Sequence, residues 1–115
     1  LKTIIAGSRS LKIDDLLKAI PLLPFIPTLI ISGTAKGIDQ EGEKWGKENG
    51  IPIQRYPARW DLYGMGAGFR RNELMASKGE ALLAVWDGES SGTSHMISIA
   101  KEKGLQVFIY NTKEH

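Results

Sequence analysis

Short β-branched apolar runs alternate with helical apolar periods along the whole chain, and this alternation restricts the fold more than any other feature. Thr3-Ile4-Ile5-Ala6 ends at Gly7, and Ile13, Leu16, Leu17 and Ile20 then recur at helical spacing, with Asp14 and Asp15 in the first turn and Pro21 as the stop. A second strand is expected over residues 28–31, halting at Ser32-Gly33-Thr34. Ile38, Gly42, Trp45 and Asn49 mark one face of the next helix, with Gly50 at its C′ position. Gly42 and Gly46 would let that helix lie close to a sheet.

Ile51-Pro52-Ile53-Gln54-Arg55-Tyr56 reads as a third strand, and its proline suits a sheet edge. Residues 57–68 read as a long loop. A helix is expected from Phe69 or Arg70 to about Lys78, with Leu74 and Met75 inward. Ala81-Leu82-Leu83-Ala84-Val85-Trp86 is almost wholly apolar, as in a strand covered on both faces. After a polar turn, Thr93 can cap a helix that buries Met96, Ile97 and Ala100, and Val107-Phe108-Ile109-Tyr110 closes the set. Five strands alternating with four helices imply an α/β fold. The expectation is a single Rossmann-like domain over residues 1–115, a mostly parallel sheet with right-handed crossovers and helices on both faces.

Composition removes several function classes. The chain has no cysteine, so no disulfide scaffold, zinc ribbon or thiolate-bound cluster is expected. Its two histidines, His95 and His115, do not suggest a metal centre, and no cofactor is expected. The net charge of +2 is low for a protein that tracks a polyanion, but ample for a small anionic ligand. Pro21, Pro24 and Pro27 interrupt the longest apolar stretch, which excludes a spanning helix there. No membrane association and a cytoplasmic setting are the expectations.

In open parallel sheets, ligands sit beyond the carboxyl ends of the strands. Three turns leave such ends and open helices: Gly7-Ser8-Arg9-Ser10, Ser32-Gly33-Thr34-Ala35-Lys36-Gly37 and Asp87-Gly88-Glu89-Ser90-Ser91-Gly92-Thr93. Glycine leaves backbone N–H groups open to phosphate or carboxylate oxygens, while Ser and Thr add hydroxyls. A single such turn would need nothing beyond loop geometry to explain it. Three on one rim point to an anion. Neither a Walker A nor a Gly-x-Gly-x-x-Gly pattern is present at these turns, which argues against P-loop ATP hydrolysis.

Arg9 and Arg71 are the cations placed to meet such an anion, with Asn72 beside Arg71; Arg70 reads as a solvent-facing residue. Asp39 and Asp87 stand where they could hold ribose hydroxyls or pair with an arginine. Trp60, in the long loop, has two readings: a platform for a base, or a plug on the sheet edge. Trp45 and Trp86 read as core. His95 reads as a hydrogen-bonding residue near the rim.

These segments together resemble the SLOG superfamily, and within it the small stand-alone branch related to YspA and YpsA. The likeness rests on Ile4-Ile5-Ala6-Gly7-Ser8-Arg9, on Ile31-Ser32-Gly33-Thr34-Ala35-Lys36-Gly37-Ile38-Asp39 and on Pro57-Ala58-Arg59-Trp60. It continues through Ala67-Gly68-Phe69-Arg70-Arg71-Asn72-Glu73-Leu74-Met75 and Asp87-Gly88-Glu89-Ser90-Ser91-Gly92-Thr93-Ser94-His95-Met96. Each motif alone is loose; their order is specific. The resemblance implies a domain that binds nucleotides or nucleotide-derived signals such as ADP-ribose derivatives, as a sensor or a sequestering protein, including in conflict between phages and bacteria. It also implies a homodimer or higher homo-oligomer. Its implied ligand-binding residues are Gly7, Ser8, Arg9, Ser32, Gly33, Thr34, Gly37, Asp39, Arg71, Asn72, Ser91, Gly92 and Thr93; the reading of the turns and the loop adds Asp87, Ser90 and Trp60.

Two relatives imply other activities. LOG phosphoribohydrolases cleave the N-glycosidic bond of nucleoside monophosphates with a glutamate, and Met96 stands at that position here. A thioether cannot transfer a proton, so a binding protein without catalytic residues is the primary expectation and hydrolysis the alternative. The DNA-processing branch shares Arg-Arg-Asn and Ser-Gly, which makes single-stranded nucleic acid a further, less favoured partner.

Overall fold

The computed structural model describes residues 1–114; His115 lies outside the described residues. Strands β1 (Lys2–Gly7), β2 (Leu29–Ser32), β3 (Ile53–Arg55), β4 (Ala81–Trp86) and β5 (Gln106–Asn111) form one sheet in the order β3-β2-β1-β4-β5. Every pairing is parallel. Helices α1 (Ile13–Ala19), α2 (Ile38–Glu48), α4 (Ala67–Lys78) and α5 (Ser91–Glu102) cover the faces, giving a Rossmann-like α/β architecture. No helix among the described residues is long and apolar enough to cross a membrane.

Strand residues alternate between two cores, as the two-residue period requires. Ile4, Ala6, Ile31, Leu82 and Ala84 meet Met75, Ala76, Met96, Ile97 and Ala100 from α4 and α5. Ile5, Ile30, Leu83 and Val85 meet Leu16, Ala19 and Ile38 from α1 and α2. Residues 81–85 are wholly buried because this strand is covered on both faces, whereas β3, which follows Pro52, is an edge strand, as is β5 at the other side. The two glycines of α2 let the helix seat on the sheet. A Cβ on Gly42 would lie 2.7 Å from Ile5 Cγ2, and one on Gly46 2.5 Å from Ile30 Cδ1.

The structure departs from the sequence expectations in four places. Residues 57–68 are not an open loop: they hold a one-turn helix α3 (Trp60–Tyr63) and a 3₁₀ turn (Gly64–Gly66), and α4 begins at Ala67. Leu74 is exposed rather than inward, because Asn72, Met75 and Ala76 take the buried face of α4. Ser90, not Thr93, is the N-cap of α5, and its hydroxyl accepts the Thr93 amide. Trp45 and Trp86 are half-buried, packed on the margins of the two cores.

Candidate functional site

The carboxyl ends of β1 and β4 lie side by side, with Gly7 opposite Val85 in register. Chain order reverses here: β2 and β3 extend the sheet on one side of β1, and β4 and β5 on the other. Turns leaving the two ends therefore diverge and open a crevice. A Cβ on Gly7 would stand 2.1 Å from the Val85 carbonyl oxygen, so only glycine fits where the first turn leaves the sheet. The Ser8 amide donates to that carbonyl at 3.2 Å, and the buried Ser8 hydroxyl accepts the Asp87 amide at 3.1 Å. These bonds stitch the two turns together.

Asp87 organises the second turn. Its Oδ1 accepts the amides of Ser90 and Glu89, each at 2.8 Å, and these bonds hold its carboxyl below the usual carboxylate range. Trp86 Nε1 donates to the Ser90 carbonyl at 3.1 Å. The amides of Thr93 and Ser94 go to the Ser90 hydroxyl and carbonyl. Ser91 and Gly92 precede Ser94, the first intrahelical donor, so their amides have no carbonyl within the helix; both residues line the cleft, where the helix dipole favours negative charge.

The facing wall comes from α4 and the segment before it. Arg71 donates through Nε to Asn72 Oδ1 at 3.1 Å and through Nη1 to the Gly33 carbonyl. The buried Asn72 donates through Nδ2 to the Gly92 carbonyl at 3.3 Å, and the same Nδ2 lies 3.1 Å from His95 Nδ1. The Phe69 ring lies 4.3 Å from that of His95, centroid to centroid. One chain of polar contacts thus ties the β2–α2 turn, α4 and the start of α5.

Asp39 sits at the start of α2 with only 5% of its surface exposed, and its Oδ2 accepts the Ala35 amide at 3.3 Å. Burial pushes its carboxyl up to about 6, although the charge of Arg71 and the amides of Ala35 and Gly7 pull the other way. Burial likewise lowers the Arg71 guanidinium from its ordinary value; Asp39 opposes that shift and Arg9 adds to it. Arg9 itself is exposed at the mouth.

The open cleft has a volume of roughly 480 Å³, within the range of about 300–1,000 Å³ usual for small-molecule sites. Gly7, Ser8, Arg9, Asp39, Trp60, Arg71, Asn72, Asp87, Ser90, Ser91, Gly92 and Thr93 all line it. Ser32, Gly33, Thr34 and Gly37 do not reach its wall. The Ser32 hydroxyl is engaged with Glu43 at 2.7 Å and the Thr34 amide at 3.0 Å, and Thr34 turns the backbone aside at φ 66°. Gly37 packs beneath the backbone of Ser8 and Arg9.

The structure adds Ala6, Ser10, Ala35, Met65, Gly68, Phe69 and Met96 to the lining. Ser10 and Ala35 belong to turns already singled out, and Met96 follows Thr93 by one helical turn. Ala6, Gly68 and Phe69 lie in segments that carry the resemblance, and Met65 carried no signal of its own. Trp60 is half exposed and borders the cleft. Comparison of the chain with protein-family models, curated proteins and solved structures yields no match.

Proposed function

We propose that the cleft binds a phosphate-bearing, nucleotide-derived small molecule, and that the chain acts as a sensor or sequestering protein of the SLOG type. The observation that carries this reading is the convergence on one cleft of the Gly7–Ser8–Arg9 turn, the first turn of α5, and Arg9 and Arg71. Phosphate oxygens would meet the amides of Ser91 and Gly92 and the hydroxyls of Ser91 and Thr93, with the arginines neutralising charge. Asp87, held ionised, is an acceptor for a ribose hydroxyl, and Trp60 offers a face for a base. Thermal-shift measurements with a panel of 5′-mononucleotides, ADP-ribose and the corresponding nucleosides test it. Stabilisation that requires the phosphate supports the reading; no stabilisation by any phosphate-bearing compound refutes it.

One observation favours N-glycosidic cleavage as a second reading. Asp39 is a buried carboxyl on the cleft wall, and a carboxyl near 6 can exchange a proton near neutrality. Incubation with a nucleoside monophosphate, followed by chromatography for the free base, separates the two. Base release abolished by Asp39→Asn would make the chain an enzyme, and absence of release leaves it a binding protein.

A further inference from the structure

A second groove of roughly 360 Å³ lies against the same helix α4, between it and the segment that follows β3. Four of the chain's five arginines line it: Arg55, Arg59, Arg70 and Arg71. No lysine does. Guanidinium groups offer flat, forked donors that match phosphate and stack on rings, so this selection points to a ligand with both features.

The four are not equivalent. Arg55 is paired with Glu43 at 2.7 Å, and Arg59 with Asp61 at 3.1 Å. Arg70 has no carboxylate partner among the described residues and lies 4.3 Å over the Tyr63 ring. Arg71 lines both the groove and the cleft, so the two spaces share a wall. Consecutive helical residues project about 100° apart, which aims Arg71 at the cleft and leaves Arg70 to the groove. Tyr56 and Tyr63 add aromatic faces.

We propose that the groove is a second subsite for the ligand held in the cleft. That ligand then has two nucleoside units joined through phosphates, with its second base against Tyr63 and its bridge near Arg70. This assignment rests on the nucleotide reading of the cleft. A small ligand fits better than a polynucleotide, because Glu43 and Asp61 already offset two of the arginines and the whole chain carries only +2.

Calorimetric titration of the full chain with a 5′-mononucleotide and with the 5′–5′ pyrophosphate-linked dimer of the same nucleoside is the test. The dimer is expected to bind about tenfold more tightly. Arg70→Ala and Tyr63→Leu are each expected to remove most of that gain while leaving the mononucleotide affinity unchanged. Mononucleotide binding with no gain for the dimer overturns the groove alone, as does a loss in Arg70→Ala that is equal for both probes. Binding of neither probe overturns the cleft reading as well. An oligonucleotide that outcompetes the dimer at equal nucleotide concentration also overturns the proposal, in favour of a strand-binding surface.

Discussion

The guanidinium of Arg71, on α4, donates to the carbonyl of Gly33, 38 positions earlier in the chain. This contact explains why the β2–α2 turn matters to the cleft without forming its wall. A Cβ at position 33 would stand 2.5 Å from Arg71 Nη1 and 2.8 Å from Asp39 Oδ2. Glycine therefore leaves the room in which the cation and the carboxylate sit near each other.

Gly33→Ala is expected to keep the fold, because the end of an arginine can swing aside, at a cost of about 1–2 kcal/mol. It should displace Arg71 and weaken nucleotide binding about tenfold. Denaturant titration and calorimetry on the same variant separate the two effects; unchanged affinity would mean that Arg71 does not touch the ligand.

Asp39 gives a pH signature of defined sign. Its native carboxyl lies near 6 against 3.8 for the ordinary group, so the native state holds the proton more tightly between those values. Its contribution to stability is therefore full below about pH 4 and declines as pH rises through 6. Asparagine does not titrate. The stability of the wild type relative to Asp39→Asn should fall between pH 4 and pH 7, by on the order of 2–3 kcal/mol. A pH-independent difference in urea unfolding would show that the carboxyl is not buried as described.

Ser90→Ala removes the hydroxyl that accepts the Thr93 amide and pairs with Thr93 Oγ1 at 3.2 Å. A loss of about 1 kcal/mol in denaturant unfolding is expected from the missing cap. Ser90→Asp should restore stability through the same bond, while its extra negative charge weakens binding of a phosphate-bearing ligand. Tighter binding by Ser90→Asp would contradict an anion at this turn.

Gly46→Val presses two extra methyl groups and a Cβ against Ile30 at the base of α2. Overpacking of this kind costs about 1–3 kcal/mol. The thermal midpoint should drop, with ligand affinity retained in the fraction that remains folded, since the position is remote from the cleft wall.

Much of the architecture was legible because buried parallel strands leave unmistakable apolar runs. Residues 81–86 announce a doubly covered strand, and Pro52 marks the edge. Gly64 and Gly66 hid the short helix before α4, since glycines read as loop even where the chain turns helical ahead of the buried Ala67. Leu74 misled because an apolar residue beside Met75 reads as core, whereas the buried face of α4 includes the polar Asn72 and turns Leu74 outward. The turns at Gly7 and Ser90 followed from strand ends and hydroxyls. The β2–α2 turn did not behave likewise, because Ser32 bonds Glu43 and Thr34 takes a left-handed conformation, neither of which spacing reveals. The arginine groove was invisible because its members come from β3, the following segment and α4, which only the folded chain brings together.

The cleft at the β1–β4 junction is proposed to hold a phosphate group. Isothermal calorimetry of the wild type and of Arg71→Ala, with a 5′-mononucleotide and its parent nucleoside, tests it most directly. The expected result is binding of the mononucleotide, at least about tenfold weaker binding of the nucleoside, and a clear reduction of that difference in Arg71→Ala. Equal affinity for nucleoside and mononucleotide, or a phosphate preference undiminished by removal of Arg71, would contradict it.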